Sequence, residues 1–334
     1  MTSKIPEPDV KARRSLCITI ALAHALAGLA IPAASQDYAS RPIRMIVPTG
    51  TGTTSDMVAR LLAVHLGKSL GQGIVVENLP GTGGVTGTQQ LVRARKDGYT
   101  IALLSNNHVI NPSVYKSLPY DTINDVAAIS SIGTTPLVLL ANPQVPARNL
   151  QELLQLARAT PGKLTYGSGG NGTVRHLAAV LLTSLGNVGI THVPYRENGQ
   201  FTTDVLSGQV DMGFFPVAAA IPMVESGRLR AIGMTTTRRS PLMPNVPTLA
   251  EAGLPNYNFD GWMMLAGPAG LPQSIVNRLN AEVKSAMALR EVQESLEKMG
   301  VLITVGSPDD ATQFLKSELD KHSALAKRGG ATLD

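Results

Sequence analysis

Along most of this chain, short apolar runs rich in β-branched residues alternate with longer amphipathic stretches, and the whole alternation occurs twice. In the first series, residues 44–48 read as a strand and 55–70 as a helix closed by Gly71. A second strand (73–77), a helix (84–94) and a third strand (99–104) follow. A β-α-β-α-β order requires crossover helices, and so parallel strands with helices on the sheet faces. The second series has strands at 138–140, 163–166 and 190–193 around helices at 150–159 and 173–185. Strands at 210–215 and 229–236 and helices at 274–289 and 309–327 come later. The expected fold is α/β with two lobes, each a mostly parallel sheet flanked by helices. Residues 99–104 and 229–236 each end one unit and begin another, so they are the expected crossings. Lobe 1 is then 36–103 plus 234–334 and lobe 2 is 104–233, which returns the C-terminal helices to the first lobe. A cleft between lobes is a common ligand site, and closure about crossing strands a common switch.

Residues 1–35 stand apart. Lys4, Lys11, Arg13 and Arg14 precede an apolar stretch from Leu16 to Ile31, and Ala33, Ala34 and Ser35 follow. A basic start, a short apolar centre and a small-residue exit describe a secretory signal peptide cleaved near Ser35. The apolar stretch is short for a membrane anchor and carries His24. Cleavage removes Cys17, the chain's one cysteine, and with it every thiol nucleophile, thiolate ligand and disulfide. It also removes four basic and two acidic residues, lowering the formal charge from +5 to +3. No cluster of Lys and Arg points to nucleic acid, and the low charged fraction (16%) with 43% hydrophobic residues excludes disorder.

Two loops between a strand and a helix carry the polar chemistry. The first, residues 48–56, holds Thr49, Thr51, Thr53, Thr54 and Ser55 with Gly50 and Gly52. Hydroxyls, open backbone N–H groups and a helix start together make an anion site. Ser55 or Thr54 is the expected N-cap, with Asp56 and Arg60 as a structural pair. In the second loop, Gly167, Gly169 and Gly172 satisfy G-x-G-x-x-G between a strand and a helix. A dinucleotide site also wants an acidic residue about 20 positions on, but none lies between Gly172 and Glu197, and no Walker lysine is present. What survives is a loop, Ser168, Gly169, Gly170, Asn171, Gly172 and Thr173, suited to a small carboxylate. His176 is expected to orient that loop from within the lobe, and Trp262 to pack between elements. His65, His108, His192 and His322 show no metal-ligand spacing, so no metal or cofactor is expected. There is no G-x-S-x-G elbow and Ser168 has no base at a recognisable spacing, so no catalytic residue is expected.

In their order, further motifs resemble the periplasmic solute receptors of tripartite tricarboxylate transporters, the Bug-type receptors, over essentially the whole chain after residue 35. They are residues 41–48 and 56–60, Val75-Val76-Glu77-Asn78 with 80–84, Asp97-Gly98-Tyr99-Thr100, Asn111-Pro112 and 118–121. Then come 161–164, 168–176, His192-Val193-Pro194-Tyr195, Gly208-Gln209-Val210-Asp211 and Pro247-Thr248 with 251–253. The resemblance implies a Venus-flytrap receptor whose two strand–helix loops hold ligand carboxylates, partly through water. Carried over, these are residues 51–55 and 168–173, with Thr49, Gly52 and Tyr195 in the same ligand-binding set. The family's first loop usually runs Phe-x-Pro-Gly-Gly, where this chain has Thr49, Gly50, Thr51 and Thr53, which implies a wider or wetter pocket. Glu197 stands where the family favours glycine, and near the cleft it would repel an anion or bind an ammonium.

The expected function is an exported, non-catalytic, monomeric receptor in the periplasm. Its ligand is a small organic acid, a dicarboxylate, an aromatic carboxylate or similar, which it passes to membrane permease subunits. The alternatives are a nucleotide-dependent oxidoreductase built on Gly167, Gly169 and Gly172, and a periplasmic sensor feeding a signalling partner.

Overall fold

A computed structural model describes residues 38–195 and 198–329, so the expected signal peptide and Glu197 lie outside the described residues. The chain divides after Ser40, and the unit that follows is Arg41–Asp334. Its strands are β1 (Ile43–Val47), β2 (Ile74–Asn78), β3 (Thr100–Ser105), β4 (Val126–Thr135), β5 (Leu137–Ala141), β6 (Thr165–Ser168), β7 (Thr191–Pro194), β8 (Met212–Pro216), β9 (Arg230–Met234), β10 (Gly261–Pro268) and β11 (Leu302–Ile303). They form two sheets, ordered β11-β4-β10-β3-β1-β2 and β7-β6-β8-β5-β9. In the first, β10 runs antiparallel between β3 and β4, and β1 pairs in parallel with β2 and β3. In the second, β5 is the antiparallel insert, between β8 and β9, while β6 pairs in parallel with β7 and β8.

The helices follow from local chemistry. Helix α1 (Thr54–Leu70) buries Val58, Leu62, Leu66 and Leu70, a stripe at every fourth residue, and ends at Gly71 in the left-handed region (φ 68°). After it come α2 (Val85–Val92), α3 (Asn107–Val114), α4 (Leu150–Ala159), α5 (Val174–Gly186), α6 (Asn198–Ser207), α7 (Val217–Glu225), α8 (Gln273–Ala288), α9 (Arg290–Lys298) and α10 (Pro308–Gly329). Strand β5 is buried along its length. Leu139 and Ala141 join the core beneath α4 and α5, and Val138 and Leu140 join Phe201 and Val205 of α6 on the other face. Each of these Val, Leu and Phe side chains contributes about 1.5–3 kcal/mol by leaving water. Helix α10 ties the sheets together: Ala311 and Leu315 belong to the first core, Leu325 and Ala326 to the second.

The chain crosses between sheets at Pro136 and returns after Met234. Residues 99–104, expected as a crossing, are β3 inside the first sheet. The difference arises because β4 and β10, absent from the sequence reading, extend that sheet beyond β3. The crossings are bonded to one another. The Thr235 hydroxyl accepts from Leu137 N–H at 3.0 Å and lies 3.4 Å from Asp260 Oδ1, and Phe259 N–H donates to the Thr235 carbonyl at 3.0 Å. Asn106 bridges the return segment, donating to the Asp260 carbonyl at 3.0 Å and accepting from Trp262 N–H at 2.8 Å. Beside it, His322 and Lys321 of α10 pair with Glu318.

Burial, outweighing the Lys321 ammonium and the Thr235 hydroxyl, pushes the Asp260 carboxyl up to about 7. The folded state therefore holds this proton more tightly than the unfolded chain does. Asp260 stabilises the fold fully below its ordinary value of 3.8, and the contribution is lost as pH rises through about 7. Asp260→Asn should match the wild type in thermal midpoint in acid and exceed it above neutrality. Equal midpoints at both ends would show that the carboxyl titrates as in the unfolded chain.

Candidate functional site

The loop from β1 into α1 and the loop from β6 into α5 open on one cleft of about 390 Å3, at the lower end of the range for small-ligand sites. The first loop contributes Thr49, Thr53 and Ser55, the second Gly169, Thr173 and Arg175. Ser105, Asn106 and Asn107 add polar groups, and the crossings contribute Thr135, Leu137, Gly261 and Trp262. A larger surface groove of about 650 Å3 between α1 and β2 touches neither loop.

Bond for bond, the two loops are built alike. Thr53 caps α1, its hydroxyl accepting from Asp56 N–H, and Thr173 caps α5, accepting from His176 N–H. Each threonine hydroxyl also donates to a glycine carbonyl three residues back, Thr53 to Gly50 and Thr173 to Gly170, both at 2.8 Å. The residue before each cap is a left-handed glycine, Gly52 (φ 78°) and Gly172 (φ 72°). Its N–H donates to the third helical residue, Gly52 to Asp56 Oδ2 at 2.9 Å and Gly172 to His176 Nδ1 at 3.1 Å. This is a variant of the capping box, in which side chain and backbone satisfy each other's orphan groups. It sets residues 50–56 equivalent to 170–176, and the cleft-lining pairs Thr53/Thr173 and Ser55/Arg175 occupy matching places. The N-cap is Thr53, one residue before Thr54 and two before Ser55, the expected candidates, because it is the Thr53 hydroxyl that accepts from the Asp56 amide.

Several expected ligand residues take other positions. The Ser168 side chain is fully buried and bonds His192 Nε2 at 2.6 Å and Gly170 N–H at 3.1 Å. Asn171 lines a different hollow of about 500 Å3 with His176, His192 and Arg328. The Tyr195 hydroxyl donates to Asp204 at 2.7 Å, and its ring meets the edge of Phe201. A Cβ on Gly172 would lie 2.5 Å from Val114 Cγ1, so this glycine answers a packing need. Thr51, Gly52, Thr54 and Gly170 are not among the residues lining the cleft.

The residues expected to be structural (Asp56 with Arg60, His176 and Trp262) make structural contacts. Asp56 is buried and forms an ion pair with Arg60 at 3.0 Å; burial raises its pKa, but the Gly52 N–H, Arg60 and Asn78 outweigh this and hold it below the usual range. His176 is buried and stacks on His192 at 4.3 Å; burial, then His192, lowers its pKa to about 4. It is therefore neutral, as its acceptor role at Nδ1 requires. Trp262 packs edge-on against Phe314 at 5.6 Å.

The sequence reading missed Arg175, Ser105, Asn106 and Asn107. The parallel between G-T-G-T at 50–53 and G-N-G-T at 170–173 was the available signal, since it places Arg175 opposite Ser55. Burial lowers the pKa of Arg175, whose guanidinium carbon lies 5.1 Å from the Phe201 ring centre.

Two α/β lobes joined by bonded crossings, with paired helix starts on the cleft between them, define a solute-binding protein of the periplasmic two-lobed class. The chain belongs to the tripartite tricarboxylate transporter family receptors, whose model matches residues 58–330. It is 32% identical to Protein BugT of Bordetella pertussis over 320 residues, covering 95% of this chain and 98% of that protein. Rpa4515 of R. palustris, solved with adipate, superposes with a TM-score of 0.78 at 31% identity, over 89% of this chain and all (100%) of that one. MatC of Rhodopseudomonas palustris, solved with bound malate, gives 0.74 at 29% identity, over 86% and 100%.

The Thr49 hydroxyl lies 3.0 Å from that of Thr53 at the cleft wall. Thr49→Phe would break this contact and fill part of the cleft, so ligand affinity should fall by about 10-fold while the fold persists, an overpacking cost of about 1–3 kcal/mol. Isothermal titration with whichever acid binds the wild type checks this, and unchanged affinity would place the ligand away from Thr49.

Proposed function

We propose that this protein captures a small organic carboxylate in the interlobe cleft and delivers it to permease subunits of a tripartite tricarboxylate-type transporter. In this reading it is a non-catalytic monomer, exported by its N-terminal signal peptide and acting in the periplasm. The observation that carries the proposal is the pair of equivalent capped helix starts, one from each lobe, opening on a single cleft. Two positive helix ends and neutral hydroxyl donors suit a carboxylate, and ordered waters bridge any remaining gap at small cost. A ligand touching both loops makes all its contacts only when the lobes close, so binding shifts the population toward the closed form that a permease would read. Adipate and malate in the related structures support the ligand class, and the family supports the transporter partner. Against the oxidoreductase reading, the Gly167-x-Gly169-x-x-Gly172 loop is committed to the Thr173 cap and the His176 acceptor, and Gly167 faces Phe201.

A thermal-shift screen of the processed protein against aliphatic, aromatic and amino-acid carboxylates, with NAD as control, tests the proposal. A ligand at 100 times its Kd adds about 2.7 kcal/mol, which raises the midpoint by several degrees at about 2–4 °C per kcal/mol. A shift with one class of acid is expected. A shift with NAD alone would overturn the reading in favour of an enzyme.

A further inference from the structure

We infer that the hollow behind the β6–α5 loop is a second binding site, outside the cleft, for a phosphate-type oxyanion held by Tyr166, His176 and Arg328. It does not depend on what the cleft binds.

Three stacked rings line this hollow of about 500 Å3. His192 lies against His176 at 4.3 Å and against Tyr166 at 4.9 Å, with interplanar angles of 19° and 17°. Tyr166 and His176 are only 5% and 3% exposed, and together they leave two polar groups open. Because Gly172 N–H donates to His176 Nδ1, the neutral ring carries its one proton on Nε2. Neither that Nε2–H nor the Tyr166 hydroxyl has a hydrogen-bond partner among the described residues. Burial is the whole cause of the raised Tyr166 pKa, with no hydrogen bond contributing. The two groups are not sealed in the interior either, as His108 Nδ1 and Trp262 Nε1 are. The hollow is where these buried side chains meet solvent. Polar groups on side chains this deeply buried are almost always bonded, so two open ones on one wall mark a place where a ligand supplies the bond.

The charge around the hollow sets the sign of that ligand. Arg328, in the last turn of α10, reaches the rim, and one of its five N–H groups is taken by Ser184 Oγ at 3.3 Å. No carboxylate is among the described residues that line the hollow. Two neutral donors and a guanidinium favour an anion. These donors come from a strand, β6, and from two helices, α5 and α10, with the Asn171 amide on the loop between. Donors that arrive from separate elements suit an oxyanion with acceptors on several sides, such as phosphate, better than the two in-plane oxygens of a carboxylate. The ring stack fixes the neutral donors in advance, which lowers the ordering cost of binding. The occupant would also touch the imidazole whose other nitrogen holds Gly172, so the Gly172 amide reports on it from the far side of the ring.

Nitrogen-15 NMR of the processed protein at neutral pH, titrated separately with inorganic phosphate, glycerol phosphate and acetate, tests the inference. Phosphate or its ester should shift the His176 ring nitrogens and the Gly172 amide along a saturating curve, and should bind more tightly than acetate. Tighter binding of the ester assigns the site to a phosphate ester, and tighter binding of inorganic phosphate to the free ion. Tyr166→Phe and Arg328→Gln should each weaken binding by about 10-fold, the worth of one bond to a charged group. A response confined to the Thr53 and Thr173 amides would put the anion in the cleft and overturn the inference. Absence of a saturating shift with both phosphates, acetate binding as tightly as phosphate, or unchanged affinity in both variants overturns it too. Thermal midpoints without ligand check the folding of the variants, and the wild-type ring shifts decide on their own if a variant does not fold.

Discussion

A helix that starts at a ligand site must quiet its orphan N–H groups without covering the end that attracts the ligand. Here Thr53 and Thr173 meet that constraint, each satisfying the amide three residues on and tying itself to a glycine carbonyl three residues back. The rest of each loop follows from the same bond. The chain can reverse into the cap only through a left-handed residue, which makes glycine the natural choice at 52 and 172. The glycine amide then needs an acceptor of its own, and the third helical residue supplies it. Loops closed on themselves in this way need little ordering when a ligand arrives, which limits the entropic cost of binding.

How much of this was legible in the sequence depended on how local each cause is. The stripe and left-handed stop of α1, and the bounds of α4, rest on neighbours within a turn or two, and the sequence reading placed them well. Strands β4 and β10 rest on partners far away: Trp262 pairs with Thr134, and Leu265 with Leu103. Their uniform burial removes the alternation by which a half-exposed strand is recognised. Without them the first sheet ends at β3, and the expected crossing falls too early in the chain.

The site divides in the same way. The polar loops were visible because glycine and threonine runs between a strand and a helix have few other uses. Which hydroxyls cap and which face the cleft was not visible, since Ser168 and Thr173 differ only in where tertiary partners meet them. Ser168 turns toward His192, a contact across 24 residues, while Thr173 turns toward its own helix.

The equivalence of the loops sharpens what differs between them. Asp56 and His176 do the same bonding work at the third helical position, with opposite electrostatic consequences. In the first lobe the acceptor is a carboxylate, and Arg60 four residues on neutralises it. In the second the acceptor is an imidazole kept neutral by burial and by His192. Protonating His176 would turn an acceptor into a donor facing the Gly172 N–H and set a second cation beside Arg175, and its low pKa guards against both. The first lobe thus presents hydroxyls and a helix end to the cleft, and the second presents a helix end with Arg175 in its first turn. The two cradles are nearly identical in backbone and cap, so the single-residue difference between them, Ser55 against Arg175, is what sets the two walls of the cleft apart and gives it a direction.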